Sequence, residues 1–176
     1  MNFPNVTTIG NVAFGNCKFL TVDFPKATTI GTYAFNGCNS LTSISFPNII
    51  TIGISAFSGC VILTTADFPK ATTIRSSAFV YCYKLTTASF PNATIIENGA
   101  FFSCSRLTSL YLTGSSVCKL SASRAFNSTP IGGYSATAGT YGSIFVPASL
   151  VSAYRTATNW TYFSSRITAY LETEPT

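Results

Sequence analysis

Cysteine is the residue type in this chain best suited to chemistry, and its spacing is regular. Five of the six cysteines recur every 21 or 22 residues, each three residues after a phenylalanine, at Cys17, Cys38, Cys60, Cys82 and Cys104. Cys118 lies outside this spacing. Zinc sites use closely spaced pairs such as Cys-x-x-Cys, which do not occur here. The pattern favours buried free thiols packed in successive turns. Bridges between neighbouring turns are the alternative, because Cα atoms about 5 Å apart lie within disulfide range.

The sequence gives little support for other types of catalytic or nucleotide-binding site. Histidine is absent, so the usual base for Ser or Cys nucleophiles and the commonest metal ligand are missing. Asp23 and Asp67 lie two repeats apart, roughly 10 Å by strand spacing, which argues against a carboxylate pair. Gly132 and Gly133 lack the strand and helix context of a nucleotide site. The sequence therefore predicts no enzyme, no cofactor and no metal site.

Composition narrows the class of protein further. Hydrophobic residues make up 47% of the 176 residues, enough for one core, whereas charged residues make up only 9%, so Ser and Thr must cover the surface. The net charge of +5 is scattered without a basic run, which argues against nucleic-acid binding. No apolar stretch is long enough to enter a membrane. The first residues resemble no signal peptide, and Phe3-Pro4 falls mid-repeat, as in a fragment or a mature chain.

Several other residues recur in step with the cysteines. Phe-Pro pairs begin at Phe3, Phe24, Phe46, Phe68 and Phe90, at spacings of 21, 22, 22 and 22 residues. Ile9, Ile30, Ile52, Ile74 and Ile96 form a second column, and Leu20, Leu41, Leu63, Leu85 and Leu107 form a third. The single deletion is assigned between Leu20 and Phe24. Units this short cannot bury their own apolar face, so equivalent residues must stack from coil to coil.

The pattern inside each unit indicates how the coils are built. Ile44 and Phe46 alternate with Ser43 and Ser45, the period of two expected of a strand with one buried face. Proline ends each such strand because it has no ladder donor. A second short strand is predicted at Thr-Thr-Ile, followed by a tight turn. The sequence predicts a β-rich repeat solenoid of stacked parallel strands with few helices.

In addition to the repeat of about 22 residues, the sequence has a longer period of two repeats. Asp-Phe-Pro-Lys units at Asp23 and Asp67 alternate with Ser-Phe-Pro-Asn units at Ser45 and Ser89. Alternation halves the repulsion that an unbroken aspartate column would create. Recent duplication of a two-repeat cassette is an equally good explanation.

The repeat decays after Leu112, which divides the chain into five repeats of about 22 residues over 1–112 and a terminal region over 113–176. In that region Ala125-Phe126 repeats the Ala-Phe step, and a Gly, Ser and Thr loop follows over 127–143. We expect a last strand at Ile144-Phe-Val and a short helix from Pro147 with Leu150, Val151 and Tyr154 on one face. Trp160 is predicted to plug the open end, and the tail 172–176 to fray.

The unit Leu-Thr-Ser-Ile-Ser-Phe-Pro-Asn, continued by Thr-Ile-Gly and Ala-Phe-Ser-Gly-Cys, resembles the BspA-like class of leucine-rich repeats. The segment Ile-Phe-Val-Pro-Ala-Ser-Leu-Val-Ser-Ala-Tyr is similar to the cap that closes such arrays. The resemblance implies a leucine-rich-repeat solenoid on a bacterial cell surface or secreted, with adhesion or host-protein binding and no catalysis.

Two functions follow as hypotheses. The first is a binding or adhesion module that recognises a host or extracellular-matrix protein or a glycan through the outward strand positions. These positions are Thr21, Asp23, Ser43, Ser45, Thr65, Asp67, Thr87, Ser89, Ser109 and Tyr111. The second is a structural spacer or stalk without a ligand of its own. We expect a monomer, with edge-to-edge association at the first coil, where Phe3 and Ile9 begin the columns, as the alternative.

Overall fold

The computed structural model describes residues 1–133 and 139–171, and the side chain of Ser45 lies outside the description. Within these ranges the chain forms the predicted solenoid, in which equivalent strands of successive coils pair in parallel. Part of the predicted loop over 127–143 and the predicted frayed tail over 172–176 lie outside the described residues.

The first strand of each coil carries the alternation of inward apolar and outward polar residues. These strands are β2 (Thr21–Asp23), β4 (Ser43–Ser45), β6 (Thr65–Asp67), β8 (Thr87–Ser89) and β10 (Ser109–Tyr111), continued by β12 (Ser143–Pro147) and β13 (Ile167–Tyr170). Strands β6, β8, β10, β12 and β13 form one parallel sheet, β2 pairs with β4, and β4 contacts β6. We call the outward side of these strands the strand face.

The second strand of each coil confirms the prediction at Thr-Thr-Ile. A six-stranded parallel sheet contains β1 (Thr8–Ile9), β3 (Thr29–Ile30), β5 (Thr51–Ile52), β7 (Thr73–Ile74), β9 (Ile95–Ile96) and β11 (Lys119–Leu120). The isoleucine column points into the core, with Ile52 and Ile74 fully buried. Leu120 pairs with Ile96 and continues this column one coil beyond the regular repeats.

Phenylalanine fills the space between the two sheets in two parallel columns. Phe46 and Phe68 stack with ring centroids 5.7 Å apart, and Phe57 and Phe79 stack at 5.2 Å. Between columns the rings are tilted, as for Phe57 and Phe68 at 5.9 Å and 56°. All four rings are fully buried, and burial of one such side chain stabilises the fold by roughly 2–3 kcal/mol.

Each coil reverses direction through a turn that is hydrogen-bonded to the next coil. In the third coil the Phe57 N–H donates to the Ala78 oxygen at 2.8 Å, and the Gly59 N–H donates to the Val80 oxygen at 2.8 Å. Gly59 has φ of 71°, which glycine adopts without steric cost. The turn's backbone groups are therefore satisfied between coils, which explains why one turn sequence recurs.

The first coil departs from the predicted leucine column. Thr21 pairs with Ser43 across β2 and β4, so the deletion lies before Leu20 and not after it. Leu20 is consequently 63% exposed, and its oxygen accepts a hydrogen bond from the Thr42 N–H. Phe19 packs against the core in its place, with its ring 5.8 Å from Phe14. The assignment of Leu20 to the core was wrong because the shortened turn moves the inward position back by one residue.

The terminal region closes the array over the last ring of a Phe column. Phe126, in a 3-10 helix over Ser123–Phe126, stacks on Phe101 at 5.6 Å. After β12 come a 3-10 turn over Ala148–Leu150, helix α1 over Val151–Thr156 and a 3-10 segment over Trp160–Arg166. Trp160 is fully buried, 6.0 Å from Phe126. The predicted short helix is confirmed, but it begins at Val151, because Pro147 ends β12 and a 3-10 turn follows. The predicted role of Trp160 as the plug is confirmed by its burial against Phe126.

Candidate binding surface

The structure places nine of the ten residues that the alternation predicted to point outward on the strand face. Their inward neighbours, such as Val22 and Ala66, are buried. The outward side chains of Thr21, Ser43, Thr65 and Asp67 are exposed, and those of Asp23, Thr87, Ser89, Ser109 and Tyr111 are partly buried. Ser45 belongs to β4, but its side chain lies outside the description. The register aligns these residues in two rows, with Ser109 opposite Thr87 and Tyr111 opposite Ser89.

Three aromatic rings replace the hydroxyl groups at the capped end of this face. Tyr111 in β10 pairs with Phe145 in β12, and their rings stack at 4.7 Å and 12°. Tyr170 in β13 meets Tyr111 edge to face at 5.8 Å and is 37% exposed. Tyr111 and Phe145 are partly exposed as well. We call these three residues the aromatic cluster.

Sequence reasoning identified only Tyr111 of the aromatic cluster. Phe145 was detectable, because it lies between the inward residues Ile144 and Val146 of the predicted last strand. Tyr170 was not, since β13 lies outside the repeat and no signal marked it as a strand. The cluster is therefore assembled by the parallel pairing of β12 with both β10 and β13.

The cysteine column has a structural explanation. All six cysteines are free thiols, and all but Cys17 are buried. The Sγ atom of Cys60 donates to the Phe35 oxygen at 3.2 Å, and that of Cys82 donates to the Phe57 oxygen at 3.2 Å, so each thiol satisfies a carbonyl of the preceding coil. The hydrogen bond to Cys38, followed by burial, raises the pKa of Cys60, and burial raises the pKa of Cys82. Neutral thiols of this kind are poor nucleophiles.

The two aspartates of the strand face do not lie close enough together to form a catalytic pair. Asp23 pairs in register with Ser45, and Asp67 lies one strand further on, which keeps the two carboxylates two coils apart. Over residues 1–133 and 139–171, no three His, Cys, Asp or Glu side chains are grouped so that they could hold a metal ion. In the same ranges, every helix is too short or too polar to cross a bilayer.

The fold is similar to two solved structures of bacterial repeat proteins. A leucine-rich repeat protein from Bacteroides ovatus matches 97% of this chain, with a TM-score of 0.71 and 20% identity. A leucine rich cell surface protein from Faecalibacterium prausnitzii matches 94%, with a TM-score of 0.55 and 23% identity. This chain spans only 42% and 34% of the lengths of those two proteins. At these identities the likeness establishes the fold alone.

Among curated proteins, none matches the sequence. A family model does match: that of the BspA type leucine rich repeat region fits residues 3–131 in six copies. The match covers the regular coils and extends through the coil that contains β11 and Phe126. Together with the stacked parallel strands, it shows that this chain belongs to the BspA type leucine-rich repeat family.

Proposed function

We propose that the chain is a non-catalytic binding module of a bacterial cell-surface or secreted protein. We further propose that its strand face recognises a host or extracellular-matrix protein or a glycan. Membership in the BspA type family supports the repeat module, and one structural relative is itself described as a cell surface protein. Recognition through an extended sheet is a common use of solenoid repeats.

The aromatic cluster is the observation that carries this proposal. On strands β2, β6 and β8 the outward residues are Ser, Thr and Asp, which give hydrogen bonds but little apolar contact area. Tyr111, Phe145 and Tyr170 concentrate partly exposed rings at one end of that face. Aromatic side chains often dominate binding energy, because they bury a large area at a small cost in conformational entropy. A surface selected only to be inert has no need of them.

The hydroxyl rows beside the aromatic cluster suit a neutral ligand. Ser109 and Thr87 lie directly opposite each other on neighbouring strands, about 4.8 Å apart in the direction of the stack. Each hydroxyl can donate one hydrogen bond and accept two. Because charged residues are so few, we expect binding on this face to depend only weakly on salt.

The absence of catalysis is also part of the proposal. An enzyme of the common hydrolytic types needs a nucleophile beside a base, or two carboxylates near one bond. The thiol of Cys82 is buried and directed at the Phe57 oxygen, and Asp23 and Asp67 are separated by one intervening coil. Neither arrangement supports such a mechanism.

The test is binding of the purified chain to an array of extracellular-matrix proteins and glycans. Tyr111→Ala should weaken saturable binding at least tenfold, since it removes the central ring of the aromatic cluster. Thr65→Arg, which places a bulky cation on an exposed part of the strand face, provides a second variant. Tyr81→Ala is the matched control, because Tyr81 is 44% exposed and lies in a turn outside the strand face.

Circular dichroism and thermal melts should show that all three variants are folded. Equal binding by the wild type and by both strand-face variants would reject the strand face as the site. Binding to no target would favour the alternative of a structural spacer, in which recognition belongs to other parts of a longer protein.

A further inference from the structure

Asparagine and lysine alternate at the turn that follows each Phe-Pro pair, and they are hydrogen-bonded to one another. The ammonium group of Lys26 donates to the Asn5 Oδ1 atom at 3.1 Å, and that of Lys70 donates to the Asn48 Oδ1 atom at 2.7 Å. In both pairs the lysine belongs to the coil that follows its asparagine. The two-repeat period of the sequence therefore has a structural consequence: in these two pairs, an Asn-bearing coil is joined to the Lys-bearing coil that follows it.

The third asparagine of the series is oriented like the second. Asn48 donates its Nδ2 proton to the Pro25 oxygen at 2.6 Å, and Asn92 donates its Nδ2 proton to the Pro69 oxygen at 2.6 Å. Because Asn48 combines this Nδ2 contact with an Oδ1 contact to Lys70 of the following coil, we infer that the Asn92 Oδ1 atom is also directed toward the following coil. Among the described residues, no group donates a hydrogen bond to the Asn92 Oδ1 atom.

The chain itself does not supply the third lysine. The residue 22 positions after Asn92 is Gly114, and a Cβ atom there would collide with the Pro91 oxygen. The backbone approaches too closely for any side chain at this position. An open cavity of about 540 Å³ lies here, lined by Asn92 and Gly114 together with Pro91, Ala93, Ser115 and Ser116, among others.

We propose that this cavity binds a lysine side chain of a partner protein, whose ammonium group donates to the Asn92 Oδ1 atom. The arrangement repeats the contacts that Lys26 and Lys70 make within the chain. Pro91 and Ala93 provide an apolar wall for the lysine methylene groups, and the hydroxyl groups of Ser115 and Ser116 lie at the same cavity.

Neighbouring charge does not prevent this binding. Lys70 also lines the cavity, but its ammonium group is held by Asn48 in the preceding coil. A lysine bound at Asn92 would lie two coils from Lys70, roughly 10 Å by strand spacing, the same number of coils that separates Lys26 from Lys70. That separation exceeds the screening length of about 8 Å at physiological ionic strength.

The site shares no residue with the strand face, so the two proposals can be tested independently. The probe is Nα-acetyl-lysine amide, titrated into the ¹⁵N-labelled chain while the side-chain amide resonances are followed by NMR. We expect a saturable shift of the Asn92 amide with a dissociation constant on the order of 1–10 mM, as for one exposed charge-assisted hydrogen bond. The amides of Asn5 and Asn48, which already have lysine partners, should not shift.

Three comparisons make the result decisive. Nα-acetyl-norleucine amide has a similar stem without the ammonium group and should give no saturable shift. Asn92→Ala should weaken binding of the lysine probe at least tenfold, followed through the backbone resonances of Gly114. Asn5→Ala, the same substitution at the other end of the array, should leave binding unchanged.

Three outcomes would overturn the proposal. The first is an equal response to the norleucine probe, and the second is unchanged affinity in Asn92→Ala. The third is a response to glucosamine but not to the lysine probe, which would assign the cavity to an amino sugar. Tyr111→Ala should bind the lysine probe normally, whatever its effect on the strand face.

Discussion

The indole Nε1 atom of Trp160 donates a hydrogen bond of 2.6 Å to the backbone oxygen of Cys118. The N–H of the same cysteine donates to the Tyr154 hydroxyl oxygen at 2.9 Å. The side chains of Trp160 and Tyr154 thus satisfy the carbonyl and the N–H group of Cys118, the residue that precedes β11. The cap is joined to the last coil by these directional contacts as well as by the packing of Trp160 on Phe126.

Trp160→Phe should destabilise the protein by about 1–3 kcal/mol, because it leaves the buried Cys118 oxygen without its donor. The free energy of unfolding can be measured by chemical denaturation followed by far-UV circular dichroism. Tyr162→Phe is the control: its ring is 74% exposed, and loss of its hydroxyl should change stability by less than about 0.5 kcal/mol. Equal stability of Trp160→Phe and the wild type would show that the indole hydrogen bond contributes nothing to the cap.

Phe79→Ala should cost about 3–5 kcal/mol, since this fully buried ring stacks on Phe57 and Phe101 and its loss leaves a cavity. Phe14→Ala should cost less than half as much, because Phe14 lies in the first coil and is only partly buried. Urea titration of both variants gives the comparison. Similar losses of stability would contradict the difference between central and terminal coils.

Stability should fall at alkaline pH. Burial raises the pKa of Cys118 from 9.0 to about 12 and the pKa of Tyr154 from 10.0 to about 12. Below pH 9 both groups are neutral in the folded and unfolded chain, so neither affects the pH dependence. Between pH 9 and 12 the unfolded chain releases protons that the folded chain retains. The free energy of unfolding therefore decreases as pH rises, by about 1.4 kcal/mol per pH unit for each group within its window.

Cys118→Ala tests this pH dependence directly. The variant should show a shallower decline in unfolding free energy between pH 9 and 12 than the wild type, by up to about 1.4 kcal/mol per pH unit. Denaturant titrations at several pH values measure the slope. Parallel slopes for the two proteins would mean that the Cys118 thiol ionises as readily in the folded chain as in the unfolded chain.

The periodic part of the structure could be predicted because every repeat must bury the same set of apolar residues. A coil of about 22 residues must bury Phe57, Ile52 and Cys60 against its neighbours, so equal spacing in sequence becomes vertical alignment in space. The same reasoning placed Thr65 and Asp67 on the strand face. It failed at Leu20, where the shortened turn allowed two alignments and only the pairing of Thr21 with Ser43 distinguishes them.

The terminal region was harder to predict because its contacts have no counterpart in the coils. Strand β13 is recognised only by its pairing with β12, and that pairing positions Tyr170 beside the Tyr111 ring. The cavity at Asn92 depends on a close approach of Gly114 to Pro91, which no spacing reveals. The division of the chain at residues 112 and 113 stays a prediction.

The near-identity of the stacked coils also bears on how the chain finds its alignment during folding. A strand such as β6 presents to its neighbours almost the same residues as β8, so a slip by one whole coil preserves most ring stacking and most ladder hydrogen bonds. In the regular middle of the array, the hydrogen bond between Lys70 and Asn48 is among the few contacts that a slip by one coil would break. The first coil and the terminal region are distinctive as well, since Phe19 takes the leucine position in the first coil and Trp160 packs beside Phe126. The contacts of Phe19 and Trp160 therefore favour the correct alignment of the regular coils between them.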